Sequence, residues 1–218
     1  MVPPLMVFLA KHPLVDNFDL SSLNCIICGA APLSKELQQA VHKRLHIDVI
    51  RQGYGMSELT LSTLVQHGKY MKPGSVGGAT AGVYVKVIDT ETGKSLGPNK
   101  PGELCFKGSQ IMKGYVGDKQ STSATIDKDG WLHTGDIGYY DDDKEFFIID
   151  RLKELIKYKA FQVPPAEIEA ILLTHPKVKD AAVIGIPDDS AGELPLGFIV
   201  KQPNVELTKE EILKYVSG

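Results

Sequence analysis

Cysteine is scarce, with three residues in 218, and an odd number of sparse thiols excludes a disulfide framework and suits a reducing compartment. Cys25 and Cys28 share the Cys-x-x-Cys spacing of zinc knuckles and redox pairs. They lie in the apolar run LNCIICGA, however, where a strand would point them to opposite faces, and no second Cys or His pair completes a metal site. A long hydrophobic run is also lacking. The opening MVPPLMVFLA is broken by Pro3 and Pro4 and followed by Lys11 and His12, too short to cross a bilayer or to act as a clear signal peptide. There is no basic excess: 24 Lys and Arg stand against 27 Asp and Glu, a net charge of −3, which removes the electrostatic footprint of a nucleic-acid binder. No repeat, low-complexity tract or Gly/Ser linker interrupts the chain. What remains is 43% hydrophobic and 23% charged, the make-up of a globular protein with a core, at a length that fits two domains.

The first third alternates strand and helix. A strand around Cys25–Cys28 leads through Ala31-Pro32 to a helix capped by Ser34. Leu37, Ala40, Val41 and Leu45 would form its apolar face, with Lys35, Gln38, Gln39, Lys43 and Arg44 in solvent. A second strand, Val49 to Gln52, runs into GYG. From Pro73 to Asp150, short runs such as VYVKVID and GELCFKG lie between Gly, Pro, Asn and Asp turns, the pattern of a small antiparallel sheet or barrel. After Arg151 come a strand near Leu155–Tyr158, a helix opened by Pro164-Pro165 with Ile168, Ile171 and Leu172 on one face, and two further strands, AAVIGIP and LPLGFIV. A last helix opens with Thr208 and Glu211 as a capping box. The expected architecture is an α/β portion with a β-barrel-like segment over 1–150 (α/β over 1–72, β-rich over 73–150), then a small α+β domain over 151–218.

Three segments carry chemistry. In RQGYGMSE (51–58), glycines around an aromatic at a strand end let a ligand approach the backbone. Tyr54 offers a face for a base, Ser57 a donor to phosphate, and Glu58 a hard oxygen for Mg²⁺. In DGWLHTGDIGYYDDD, Asp136 in a polar turn could accept both hydroxyls of a ribose, whereas Asp141 to Asp143 form a solvated acidic tip. DRLKELIKYKAFQVPPAEIE alone is a charged wet face. The run GSVGGATAG (74–82) lacks the Lys-Ser/Thr of a P-loop and leads into a strand, so it is a loop.

In this order and spacing, GYGMSE, GELCFKG with Gly114-Tyr115, WLHTGD and DRLKELIKYK resemble the successive signature motifs of the adenylate-forming enzymes. HIDVIRQGYG, DKDGWLHTGD and DDSAGELP are most similar to the branch of insect luciferase-like acid–CoA ligases, beetle luciferases and 4-coumarate–CoA ligases. The resemblance implies an AMP-forming acid–CoA ligase using ATP, Mg²⁺ and CoA on a fatty or aryl carboxylic acid. It implies nucleotide contacts at Gly29, Ala30, Ala31, Gln52, Gly53, Tyr54, Gly55, Ser57, Asp136 and Arg151, with Asp136 and Arg151 on the ribose. The acid-binding wall would be Gly53, Gly55 and Leu61, the magnesium carboxylate Glu58, the hinge Asp150, and Lys157 the lysine presented in the second half-reaction. His133 is at most a neighbour of Asp136.

Two positions depart from the family pattern. Ala160 stands where glycine is usual, near the expected path of the CoA arm, and Leu61 where beetle luciferases carry serine, which suits an acyl tail. The family's Ser/Thr/Gly-Lys phosphate loop is expected upstream of this segment and its adenylation lysine downstream, so the 218 residues read as a fragment, poor in adenylation by themselves. A peroxisomal location is implied by kinship only, since no C-terminal Ser-Lys-Leu type signal is present; otherwise the cytoplasm is expected. An oxygen-using luciferase and an inactive nucleotide-binding remnant are the rival readings.

Overall fold

The computed structural model describes residues 1–68, 72–159 and 161–217. The chain divides into two compact units, Met1–Ile148 and Ile149–Gly218.

The first unit opens with α1 (Pro3–Lys11), which uses prolines in its first turn, where no backbone donor is missed, and buries Met6 completely. Strand β1 (Cys25–Cys28) alternates exposed and buried residues, so Cys25 faces solvent and Cys28 the core. Helix α2 (Lys35–Leu45) follows, its Ser34 hydroxyl accepting the Leu37 N–H. Strand β2 (Val49–Met56) lies parallel to β1, with Cys28 opposite Gln52. A single 3-10 turn, Ser57–Leu59, returns the chain as β3 (Leu61–Val65), antiparallel to β2, and β4 (Gly78–Ala79) completes a sheet of order β1-β2-β3-β4. GYG is therefore the end of a strand that continues to Met56, because β3 supplies a partner.

Helix α2 differs from the periodic reading at two positions. Gln38, assigned to solvent, is buried, and Ala40 is exposed. The Gln38 side chain donates to the Ile50 carbonyl (3.0 Å) and accepts from Gln52 Nε2 (3.3 Å), so two amides pair in the interior between helix and sheet. Met6, Ile26, Cys28, Leu33, Val41, Ile47 and Ile50 form the apolar core of this part of the unit.

Strands β5 (Val83–Ile88), β6 (Gly102–Gly108), β7 (Leu132–Tyr140) and β8 (Phe146–Arg151) form a second sheet in sequence order. It is open: β5 and β8 are its edges, and the expected barrel does not close. Four strands are too few to curl around a filled interior, for which about eight are typical. The sheet instead covers its apolar face with β3 and the Ser57–Leu59 turn, through Leu59, Leu64, Val76, Val87, Leu104, Phe106, Leu132 and Phe146. Between β6 and β7 lies α3 (Lys119–Thr125), polar except for Ala124 and capped by Asp118, whose carboxylate accepts the Ser121 N–H; no apolar period marked it in the sequence.

In the second unit, β9 (Ile156–Tyr158), β10 (Phe161–Val163), β11 (Val178–Asp188) and β12 (Gly192–Lys201) form a sheet of order β10-β9-β12-β11. Helix α4 (Pro165–Thr174) and helix α5 (Lys209–Val216) complete it, with Ile156, Leu172 and Val183 at the core and Ile168, Ile199 and Ile212 around them. Ile171, grouped with Ile168 and Leu172 from its spacing, is exposed. At α5 the Thr208 hydroxyl accepts the Glu211 N–H. The Glu211 carboxyl is lowered first by the hydrogen bond from Lys177, against desolvation, and further by the Lys177 and His175 charges and the Thr208 backbone N–H.

Candidate nucleotide site

Ligands in α/β sheets bind beyond the carboxyl ends of parallel strands, and here that end is marked by two glycines. Gly29 follows β1 and Gly53 follows the parallel stretch of β2; a Cβ on Gly29 would lie 3.4 Å from the Gly53 carbonyl, and one on Gly53 3.3 Å from the Leu64 carbonyl. Gly29 to Ala31 and Gly53 to Gly55 are thus neighbouring walls. Ala30 adopts a left-handed φ of 71° and, with Ala31, is exposed. Gln52 lies differently. Its side chain points inward, accepting the Leu33 N–H and donating to Gln38, and Gln66 takes its backbone N–H at 2.8 Å, so only its backbone belongs to the wall.

Tyr54 and Asp136, 82 residues apart, meet: the Tyr54 hydroxyl donates to Asp136 Oδ2 at 2.6 Å. Tyr54 stacks one ring face on the buried Phe106 (5.7 Å between centroids, 19° between planes). Asp136 lies inside β7, not in the polar turn anticipated. Its presentation comes from a bulge: Glu103 pairs with Ile137 and Cys105 with His133, so two steps on β6 face four on β7. Thr134, Gly135 and Asp136 absorb the surplus. Gly135 takes φ 69°, Thr134 Oγ1 donates to the Leu104 carbonyl and accepts the Asp136 N–H, and Glu103 Oε1 accepts the Gly135 N–H at 2.9 Å. Bulges re-aim side chains next to ligand sites.

Ser57 is exposed in the 3-10 turn and Glu58 half-buried beside it. Glu58 Oε1 accepts the Tyr115 hydroxyl at 2.8 Å, which raises the Tyr115 pKa, while its backbone carbonyl accepts the Met112 N–H. Tyr115 also lines a shallow groove of about 350 Å³ with Lys113, Gly114, Lys119, Thr122 and Ser123. That groove contains neither Tyr54 nor Asp136, so we place the candidate site by its converging side chains. Leu61 is 77% exposed and, like Thr60 before it, has a positive φ, 91° and 53° respectively. Left-handed non-glycine residues cost about 1–3 kcal/mol each. Gly55 permits the turn, since a Cβ there would fall 1.5 Å from the Leu61 carbonyl oxygen.

In the second unit, the Asp150 carboxylate is buried and fully used. Oδ1 accepts the Arg151 N–H (2.8 Å) and Oδ2 the Ala166 N–H (3.0 Å) in the first turn of α4, standing in for the cap that Pro164 lacks. Arg151 lies 3.9 Å from Glu154, both exposed. Lys157 is exposed on β9, its backbone N–H bonded to Glu193. Ala160 lies outside the described residues.

Sequence reasoning missed a cluster beside the bulge. Glu103, Cys105 and His133 bring a carboxylate, a thiol and an imidazole together, with His133 Nδ1 at 3.0 Å from Glu103 Oε2 and 3.5 Å from Cys105 Sγ. Burial, then the negative charge of Glu103, pushes the Cys105 thiol up to about 12. Cys105 is therefore held as a thiol within a hydrogen-bonded group. The pairing of Cys105 with His133 across β6 and β7 was the signal, invisible without the strand register.

An AMP-binding enzyme family model matches residues 1–116, and the model of that family's C-terminal domain matches residues 167–218. The chain is 53% identical over 218 residues to luciferin 4-monooxygenase of Photinus pyralis, covering 100% of this chain and 40% of the relative. It is 52% identical to 4-coumarate-CoA ligase 1 of Narcissus pseudonarcissus, over 99% of this chain and 40% of that one. Among solved structures, it superposes on an anthranilate CoA ligase, AuaEII, in complex with anthranoyl-AMP, with a TM-score of 0.88 at 26% identity, covering 99% of this chain and 41% of that one. ATP-bound MatB from Rhodopseudomonas palustris gives 0.86 at 29%, over 99% and 43%. The chain thus spans about 40% of the length of the curated relatives it matches. With a matching model over more than half its residues and the fold of these ligases over nearly all of it, the chain belongs to the AMP-binding enzyme family.

Proposed function

We propose that this segment serves an AMP-forming acid–CoA ligase, which activates a fatty or aryl carboxylic acid with ATP and transfers it to CoA. The observation that carries the reading is the Tyr54–Asp136 pair beside the Gly29 and Gly53 walls: a ring with one face backed by Phe106, and a carboxylate already accepting one hydroxyl. A tyrosine ring at this strand end suits stacking with an adenine. The carboxylate suits ribose hydroxyls, which would replace or join the Tyr54 hydroxyl as donors. In the first half-reaction an oxygen of the acid attacks the α-phosphorus and pyrophosphate leaves; in the second, the CoA sulfur attacks the acyl carbon and AMP leaves.

The side chains of this chain would act mainly by positioning and charge neutralisation, as phosphoryl transfer requires. Ser57 would donate to the α-phosphate. Glu58, a hard oxygen ligand with one oxygen held by Tyr115, fits Mg²⁺, which when bound would neutralise phosphate charge. Gly53, Gly55 and the exposed Leu61 would face the acid. Arg151 as a ribose contact, Asp150 as hinge and Lys157 as the cation of the thioester-forming step are assignments by family resemblance, as are the large-domain and mobile-domain identities of the two units and a peroxisomal address. No described helix is long and apolar enough to cross a membrane.

Acid-dependent ATP–pyrophosphate exchange, followed by CoA thioester formation, tests the reading in a full-length protein containing these residues. Asp136→Ala should raise the ATP requirement about 10–100-fold, the worth of one charge-assisted hydrogen bond. Unchanged ATP dependence would remove Asp136 from the site. The 53% identity to a luciferin monooxygenase keeps a second reading in view; light from luciferin, ATP and oxygen, without thioester formation from other acids, would favour it.

A further inference from the structure

We propose that Glu103 is a positioning residue for ribose recognition, holding the β7 bulge in the one register that presents Asp136 towards Tyr54. The proposal rests on the reading of Asp136 as the ribose carboxylate. Within an antiparallel pair each N–H normally meets a carbonyl of the neighbouring strand. The surplus on β7 leaves the Gly135 N–H opposite no ladder carbonyl. A side chain takes the vacant acceptor position: Glu103 Oε1, on the adjacent strand, accepts that N–H at 2.9 Å.

Glu103 is itself held. Its second oxygen, Oε2, lies 3.0 Å from His133 Nδ1, and the other imidazole nitrogen lies 3.6 Å from Asp127 Oδ2. Asp127 in turn accepts the backbone N–H groups of Asp129 and Trp131 at 2.9 Å each, which anchors the loop before β7. A chain of side chains therefore runs from that loop to the bulge. The Glu103 side chain is only 12% exposed, so water does not readily replace it. Because side chains alternate with a period of two along a strand, a bulge that relaxes by one residue turns Asp136 to the opposite face and parts it from the Tyr54 hydroxyl.

Removing Glu103 should thus act on recognition of the ribose hydroxyls in particular, an effect that general loosening would not single out. The test compares affinity for AMP and for 2′,3′-dideoxy-AMP by calorimetry on the full chain, for wild type, Asp136→Ala, Glu103→Ala, Glu103→Asp and Glu103→Gln. Wild type should favour AMP by roughly ten- to a hundredfold. That preference should vanish in Asp136→Ala and shrink to within about threefold in Glu103→Ala, since the same hydrogen bonds would already be lost. Glu103→Asp, which keeps the charge but withdraws the acceptor by one methylene, should behave like Glu103→Ala and serves if the latter does not fold. Glu103→Gln, whose carbonyl can still accept the Gly135 N–H, should restore the wild-type preference. A full preference for AMP in both Glu103→Ala and Glu103→Asp, with its loss in Asp136→Ala, overturns the positioning role and leaves the ribose reading intact. No preference in wild type overturns both.

Discussion

Gly55→Ala is the most severe single-methyl test of how the β2–β3 turn is built. The added Cβ would lie 1.5 Å from the Leu61 carbonyl oxygen, 2.5 Å from its carbonyl carbon and 2.7 Å from Ser62 Cα. All three are backbone atoms, so no rotamer change relieves the clash, and β3 must retreat by about 2 Å to restore ordinary carbon contacts near 3.5–4.0 Å. A shift of that size would break the pairings Gly55 with Ser62 and Met56 with Leu61. Two lost backbone hydrogen bonds cost about 1–3 kcal/mol together, and overpacking adds about 1–3 kcal/mol, giving about 2–6 kcal/mol. For a unit near 150 residues this lowers Tm by roughly 4–24 °C, at about 2–4 °C per kcal/mol. The assay is thermal unfolding by circular dichroism, with AMP affinity measured on the folded variant, because Tyr54 precedes the altered residue. Gly97→Ala is the internal control: no atom beyond its chain neighbours lies within 4 Å of its Cβ position and its φ is not left-handed, so it should be neutral or stabilising by about 0.4–1 kcal/mol. Equal melting temperatures for Gly55→Ala and Gly97→Ala, with AMP affinity retained in both, would refute the account of the turn.

The interior amides yield a second expectation. Gln52→Leu strands the buried Leu33 N–H and removes one of the two donors to the Gln38 carbonyl, which keeps the Gly74 N–H, at about 1–3 kcal/mol, whereas adding Gln38→Leu should cost less than the sum of the two single changes, as a double-mutant cycle in urea unfolding would reveal. A third concerns pH. Slight burial would raise the Asp141 carboxyl, but the Lys72 hydrogen bond, the Glu145 N–H, the Lys72 charge and the Asp143 N–H together lower it. A depressed folded pKa means that the unfolded chain binds protons first. The contribution is therefore complete above the ordinary aspartate range and lost as pH falls through the lowered value. Lys72→Met should flatten the acid-side decline of Tm, and an identical pH profile in both proteins would count against the ion pair. A fourth expectation concerns Tyr54→Phe, which removes the donor to Asp136 while keeping the stack on Phe106. It should spare stability to within about 1 kcal/mol and alter affinity for AMP more than for free adenine, with equal changes for both excluding a role through the ribose carboxylate.

Local signals wrote the skeleton of this fold plainly. Ser34 ahead of an amphipathic run and Thr208 ahead of α5 each accept an orphan donor at a helix start, the paired prolines open α4 where a missing donor costs nothing, and all three helices begin there. Errors arose where an interaction between distant residues overrode the local pattern. Gln38 was assigned to solvent because it is polar, yet the interior between α2 and β2 supplies it with Gln52 and the Ile50 carbonyl. Between a small antiparallel sheet and a barrel the pattern could not choose, because short strands and turns do not declare how many strands will pair; four do, and they leave open edges. Helix α3 has no apolar face to announce it and depends on the Asp118 cap.

The candidate site was legible as residue types and illegible as geometry, for a reason that lies in β-sheet register. RQGYGMSE and WLHTGD named Tyr54 and Asp136, but a motif describes one strand at a time, and their hydrogen bond needs two sheets brought together by a shared core. The string HTGD looks like a turn because Thr, Gly and Asp favour turns. In the fold the same properties make a bulge: Thr134 bonds the neighbouring strand and the Asp136 N–H, Gly135 takes the left-handed φ, and Asp136 is turned towards Tyr54. What decides between turn and bulge lies 32 residues away, in GELCFKG, where Glu103 offers an acceptor to the one N–H that a continuous ladder would leave unmet. The acidic residue of one motif thereby fixes the conformation of another.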